Sequence, residues 1–232
     1  MKLMTFNVRG LRNDIKRKSV LRTIKQFKLD IIAIQESYLL DADLLKVERE
    51  WGGKVLLSPG TCRSNGLLLL VTKRIEENFT ITLMSSNTRL QVVKFLDTTG
   101  NGFIVANIYG TCINKEKKGF LNEAEKTLRE IVEKSNELPL ICMGDFNIVL
   151  DNNLDIVSGA KHDSSTVAEF NDFLTHLTLC DLWRHYNKDK KSFTWCRDNP
   201  ISARRLDYIL IHDLFLAFPC EVTIQNIGFS DH

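Results

Sequence analysis

The chain has 232 residues, with 31 Lys and Arg against 29 Asp and Glu and a hydrophobic content of 44%. This composition excludes a disordered, collagen-like or low-complexity polypeptide and leaves ample material for a buried core. The formal charge of +2 selects no partner, because an average conceals patches.

Six cysteines, at 62, 112, 142, 180, 196 and 220, form no CxxC pair. That disfavours a zinc ribbon or redox motif and predicts free thiols in a reducing compartment. The first residues lack a secretory apolar stretch, and the densest apolar run, 66–71, is too short to span a bilayer. The expected setting is intracellular.

Short apolar runs alternate with longer amphipathic stretches. Residues 2–8 predict a strand, and 15–27 a helix with Ile15, Val20, Ile24 and Phe27 on one side. Residues 29–34 form a continuous apolar run, the pattern of a strand buried on both faces. A helix is expected over 41–51, then strands over 54–57, 66–73, 79–85, 90–97 and 102–108, with a hairpin turn at Asn101-Gly102. Residues 115–135 predict the longest helix, striped by Phe120, Ala124, Leu128 and Ile131. Pro139 introduces a buried strand over 140–143. Ser164 or Ser165 is expected to cap a further helix, in which Val167, Phe170, Leu174 and Leu177 recur three and four apart. Strands over 192–196, 206–211 and 220–227 complete the series. No Gly/Ser-rich linker or internal repeat interrupts it, so the economical architecture is one layered α/β domain over 1–232.

The informative residues are the polar ones at the ends of these runs. Asn7 lies in the first strand, Glu36 follows LDIIAIQ, and Asp145 and Asn147 follow LICMG. Asp207 interrupts RRLDYILI, and the last residues are Ser230, Asp231 and His232. Any one of these alone is best explained as a turn or helix cap. Several carboxylates on separate strands are a different matter, since burying each costs several kcal/mol unless it meets a cation or donors. They are expected to converge on something positive. Such oxygen ligands suit Mg²⁺ or Mn²⁺, and a histidine beside them supplies a phosphate contact or proton chemistry.

The motifs TFNVRGLR at 5–12, IQE at 34–36, Tyr109 after ANI, GDFN at 144–147, RLDYIL at 205–210 and SDH at 230–232 stand in a telling order. It is the order of the endonuclease/exonuclease/phosphatase superfamily, which the chain resembles over essentially its whole length. The resemblance implies an α/β fold, the four-layered αββα sandwich of DNase I-like and exonuclease III-like proteins. It implies Glu36 as principal Mg²⁺ ligand (Mn²⁺ a possible substitute), helped by Asn7 and with Asp231 near the metal. Asp145 would orient or deprotonate the attacking water, Asn147 would hold the scissile phosphate and Tyr109 would hydrogen-bond it. His232, oriented by Asp207, would stabilise the developing negative charge. Together these describe water-mediated phosphodiester cleavage.

Within the superfamily, GDFNIVLDNNLD at 144–155, LCDLWR at 179–184 and FTW at 193–195 resemble the apurinic-endonuclease-like domain of LINE-type (non-LTR) retrotransposons. Abasic-site enzymes often carry an acid or amide two positions after the first Asn, where this chain has Arg9. The resemblance places Thr194 near the DNA backbone and makes 197–204 a variable hairpin that probes the target groove. DNA contacts are accordingly expected from Arg9, Thr194, Arg197, Asn199, Ser202, Arg204, Arg205 and Ser230, with DNA shape contributing to site choice.

Charge distribution supports a polyanionic partner independently. Residues 1–28 hold nine Lys and Arg against Asp14 alone, and 184–205 hold seven against Asp189 and Asp198. Two basic segments, one containing Asn7, form an electrostatic footprint for a phosphate backbone. Trp51, Trp183 and Trp195 read as core packing before base stacking.

The reading is a Mg²⁺-dependent endonuclease that nicks one strand of double-stranded DNA. The 3′-hydroxyl it leaves would prime reverse transcription in the nucleus. The LINE-type resemblance implies a reverse transcriptase downstream in the same polyprotein; separately, a catalytic His232 at a free end would be poorly anchored, which predicts an excised domain or one whose disordered continuation is missing. The alternatives are a cellular abasic-site endonuclease, an inositol-phosphate phosphatase, and a catalytically dead DNA-binding relative.

Overall fold

The computed structural model describes residues 1–159, 161–197 and 201–232. The chain opens with β1 (Leu3–Asn7), α1 (Asp14–Gln26) and β2 (Ile31–Gln35). Next come α2 (Leu44–Trp51), β3 (Lys54–Ser58), β4 (Leu67–Val71) and α3 (Lys73–Glu76). The middle supplies β5 (Thr80–Ser86), β6 (Leu90–Leu96), β7 (Gly102–Tyr109), α4 (Lys117–Glu133) and β8 (Leu140–Asp145). The last third holds α5 (Ser164–His176), β9 (Leu179–Asp181), α6 (Leu182–Tyr186), β10 (Trp195–Arg197), β11 (Ser202–Arg204) and β12 (Asp207–His212).

Two large sheets result, one of four strands ordered β1-β2-β4-β3 and one of six ordered β5-β6-β7-β8-β12-β9. Strand alternation explains how they stack. In β2, Ile32 and Ile34 face α1 and α2, where they pack with Val20, Ile24, Val47 and Trp51. Its alternate residues Ile31 and Ala33 face the second sheet and meet Val93, Val105, Ile141 and Met143. On the far side of that sheet, Ile104, Ala106, Cys142 and Leu210 pack against Leu121 and Leu128 of α4 and Phe170 and Phe173 of α5. Helix, sheet, sheet and helix are the four layers of an αββα sandwich. β2 is buried along its whole length, as its unbroken apolar run predicts.

A polar bridge crosses the middle of this sandwich. Gln35 Nε2 donates to Asn107 Oδ1 at 2.8 Å, and Asn107 Nδ2 donates to the carbonyls of Ile34 and Leu68. Asn107 thus ties β7 to β2 and β4 just below the ends of β1, β2 and β7.

Several sequence expectations need correcting. Ile15 is 79% exposed. The inward stripe of α1 is Arg17, Val20, Leu21 and Ile24, with Arg17 neutralised by Glu50 and Asp14. Asp163, rather than a serine, caps α5 by accepting from Thr166 N at 2.9 Å, and the helix buries Thr166, Phe170 and Phe173, with Leu174 half-buried against the same core. The 41–51 helix begins as a 3-10 turn at Asp41–Asp43. No strand forms over 220–227, the strand expected over 192–196 begins only at Trp195, and β9, β11, α3 and α6 are additional. Trp51 and Trp183 are core residues. Among the described residues no helix is long and apolar enough to cross a membrane.

Candidate active site

Five strands meet at one corner of the sandwich. β1 ends at Asn7, β2 leads directly into Glu36, β7 ends at Tyr109, β8 ends at Asp145 and β12 begins at Asp207. Register sets three of these side by side. Tyr109 is the parallel partner of Asp145, and Asp207 is its antiparallel partner on the other side.

Asn7 joins the two sheets here, since its Nδ2 donates to Glu36 Oε1 at 2.9 Å and to Asp145 Oδ2 at 2.9 Å. Glu36 Oε1 also accepts from the Tyr109 hydroxyl at 2.9 Å, and Oε2 accepts from the Tyr38 hydroxyl. Asp145 Oδ1 accepts from the backbone N–H of Asn147 at 2.9 Å, and Asn147 Nδ2 donates to the Gly110 carbonyl at 3.0 Å. His232 Nδ1 lies 2.8 Å from Asp207 Oδ2, and its Nε2 lies 3.7 Å from Asp145 Oδ2.

The backbone is held in an unfavourable shape around these groups. Arg9, Glu36, Tyr38 and Asn147 all have left-handed φ values, of 46°, 52°, 56° and 54°. Such angles cost side-chain-bearing residues of order 1–3 kcal/mol each and persist only where surroundings over-determine them. Here the loops after β1 and β2 are zipped together, with Gly10 N donating to Glu36 O at 2.7 Å and Leu11 N to Ser37 O at 2.8 Å. Gly10 itself must be glycine: its φ is 93°, and a Cβ would stand 2.7 Å from the Tyr38 ring.

Charges at the centre are coupled. Burial and the facing Asp207 push the Asp145 carboxyl above the ordinary carboxylate range, against the pull of His232 and Asn7. For His232, burial works to remove its proton. The charge and hydrogen bond of Asp207, with Asp145 behind, outweigh burial and raise the imidazole to about 9. Burial, then Glu36, lifts the Tyr38 hydroxyl to about 12, so it remains a donor.

A divalent cation fits the donors present. Ligand atoms of Asp145, Asp207 and His232 all lie within 4.8 Å of one another, but His232 keeps its proton against Asp207 and so is no ligand; the oxygens suited to an ion are the carboxylates, with Asn7 joining Asp145 to Glu36. Asp207 Oδ1 is buried with no hydrogen-bond partner among the described residues, an oxygen that lacks a counterpart. Carboxylate-rich sets of this kind bind hard ions.

The structure brings together Asn7, Glu36, Tyr109, Asp145, Asn147, Asp207 and His232, all named from sequence. Asp231 is not in the group formed by Asp145, Asp207 and His232; its Oδ2 lies 2.6 Å from Arg9 Nη1 and 3.0 Å from Trp195 Nε1. Arg9 thus lies at the rim with its guanidinium on an acid. Thr194 Oγ1 accepts from the N–H groups of Leu206 and Asp207 at 3.0 Å each, fixing the start of β12. Ser230 Oγ contacts Asp231 Oδ1 and accepts from His232 N, at 3.3 Å each.

In the β10–β11 hairpin Arg197 is exposed, Arg204 and Ser202 are half-buried, and Ser202 Oγ donates to Ser158 O at 3.2 Å. Asn199 lies outside the described residues. Arg205 is a correction. It is fully buried, its guanidinium held by Asp155 and Asp181, and so reaches no DNA. Charge alone could not distinguish it from Arg204. Sequence reasoning passed over Tyr38, an aromatic two places after the acid, because only the left-handed kink folds it back onto Glu36.

The chain matches the family described as Endonuclease/Exonuclease/phosphatase over residues 4–232. It belongs to that family, and so to the metal-dependent hydrolases of phosphate esters. It is also 25% identical over 234 residues to a Xenopus laevis protein described as "Transposon TX1 uncharacterized 149 kDa protein". That alignment takes in 100% of this chain and 17% of the other, so the chain spans about a sixth of that relative.

Among solved structures, the AP endonuclease LMAP from Leishmania major aligns with a TM-score of 0.76 at 15% identity, over 93% of this chain and 80% of that one. An AP endonuclease from Archaeoglobus fulgidus gives 0.70 at 20%, over 94% and 88%. A 3′-5′ exonuclease (NExo) from Neisseria meningitidis gives 0.69 at 20%, over 94% and 89%. At these identities the likeness establishes the fold.

Proposed function

We propose that the chain is a Mg²⁺-dependent DNA endonuclease that nicks one strand and leaves a 3′-hydroxyl able to prime reverse transcription. The observation that carries this reading is the convergence of Glu36, Asn7, Asp145, Asp207 and His232 at one corner, with Nε2 of a protonated imidazole facing Asp145. Asp145, its carboxylate made more basic by burial and the facing Asp207, is suited in its ionised form to take a proton from an attacking water. His232 presents Nε2–H to a phosphate oxygen while Asp207 keeps the ring oriented and charged. Asn7 keeps Asp145 and Glu36 in fixed relation. Asn147, anchored on Gly110, borders the space where the phosphate would lie. Glu36, with Asn7 beside it, would hold the metal; bound there, the ion would stabilise negative charge on the phosphate oxygens. Asp231 enters that ligand set only by leaving Arg9.

The transposon relative supports a mobile-element setting, in which this chain is the endonuclease part of a longer polyprotein with a downstream reverse transcriptase, acting on nuclear DNA. The solved relatives named AP endonucleases support a second reading, cleavage at abasic sites. Supercoiled plasmid and an oligonucleotide with one abasic site separate the two. We expect relaxed circles from undamaged plasmid with Mg²⁺, none with EDTA, and a loss of about 10² to 10⁴ in rate for Asp145→Ala or His232→Ala. Intact plasmid beside efficient abasic cleavage would select the repair reading. Inactivity on both, with phosphate released from an inositol phosphate, would overturn the nuclease.

A further inference from the structure

We infer that Tyr38 is a positioning residue that fixes the carboxylate of Glu36 for metal binding, and that Gly10 holds the Tyr38 ring in place to do so. The inference rests on the reading of Glu36 as a metal ligand. It starts from an asymmetry in the carboxylate: Oε1 is shared by Asn7 and Tyr109, whereas among the described residues Oε2 is reached by Tyr38 alone. Without that phenol, Glu36 is pinned at one oxygen and free to swing about it.

The ring is also placed by more than its hydroxyl. Tyr38 N donates to Asn65 O at 3.1 Å, and the left-handed φ values of Glu36 and Tyr38 turn the chain so that residues two apart face each other. Gly10 packs so tightly on the ring that a single added carbon would lie 2.7 Å from Cδ2. Arg9, next to Gly10 in the chain, pairs with Asp231 at 2.6 Å. One short segment therefore connects Glu36 with Asp231. A surface tyrosine that merely found a nearby acid would need neither the strained backbone nor the glycine.

Outer groups of this kind typically change metal affinity by 10- to 100-fold when removed. The test is titration of the intact protein with Mn²⁺, followed by electron paramagnetic resonance, for wild type, Tyr38→Phe, Gly10→Ala and Glu36→Gln. Tyr38→Phe should weaken Mn²⁺ binding by about tenfold or more. Gly10→Ala, which keeps the hydroxyl but displaces the ring, should move the constant in the same direction. In nicking assays the rate deficit of Tyr38→Phe should be largest at limiting Mn²⁺ and shrink as Mn²⁺ rises.

Wild-type affinity in both Tyr38→Phe and Gly10→Ala, alongside lost binding in Glu36→Gln, would overturn the role of Tyr38 and leave the metal reading intact. A deficit equally large at every Mn²⁺ concentration would overturn it too. Wild-type binding in Glu36→Gln would instead remove the metal assignment itself.

Discussion

His232 keeps its proton through its neighbours, against the burial that would strip it. The imidazole is raised to about 9 from an ordinary 6.5, so its folded value exceeds its unfolded one. Stabilisation from this group is complete below about pH 6.5 and is lost as pH rises through about 9. Asp145, likewise raised, acts in the same direction at lower pH. Unfolding free energy measured in denaturant should therefore decline between about pH 6.5 and 9, and His232→Gln should flatten that decline. A wild-type curve flat across this interval would refute the coupling. Histidine NMR titration reads the same constant directly, and Asp207→Asn should lower it.

At the scale of elements, the site was legible because each key residue interrupts or ends an apolar strand. Glu36 after a run buried on both faces, and Asp207 inside RLDYIL, conflict with their surroundings unless they meet a partner. What stayed hidden depends on how strands and loops meet in space. Arg204 and Arg205 are adjacent and identical in type, yet Arg204 ends β11 half-buried while Arg205, just past the strand, is buried against Asp155 and Asp181. Residues 220–227 have strand composition, but their apolar members Val222 and Ile227 pack on the cores without entering a ladder. The bridge through Asn107 is invisible in a pattern of hydrophobicity, where it is only a polar blemish in β7.

The β10–β11 hairpin stands on Thr194, whose hydroxyl also anchors the first residues of β12. Its base is thus connected to Asp207. Exchanging residues 197–204 for another hairpin of equal length should redistribute nick positions on a fixed duplex and leave Mg²⁺ dependence unchanged. An identical cleavage ladder would refute a part in site choice.

For the whole molecule, the charge balance now has a shape. Some basic residues are spent internally: Arg17 on Glu50, Arg184 on Asp155, Arg205 on Asp155 and Asp181. Lys2, Arg12, Lys18, Arg22, Lys188, Lys190 and Lys191 remain exposed. If four of these meet phosphates, affinity for duplex DNA should fall by about 100-fold for a fourfold rise in salt, while hydrolysis of a small phosphate ester should barely change. Fluorescence anisotropy with a labelled duplex measures the slope, and a slope near zero would exclude a backbone-tracking surface.

The corner where five strands meet draws on residues from position 7 to position 232. A chain still being synthesised can hold Asp145 against Asp207 before His232 has left the ribosome. At that stage two carboxylates face each other with no imidazolium between them. Separation in sequence thus becomes order in time: the carboxylates can meet early, and the imidazole joins the centre only after position 232 has emerged.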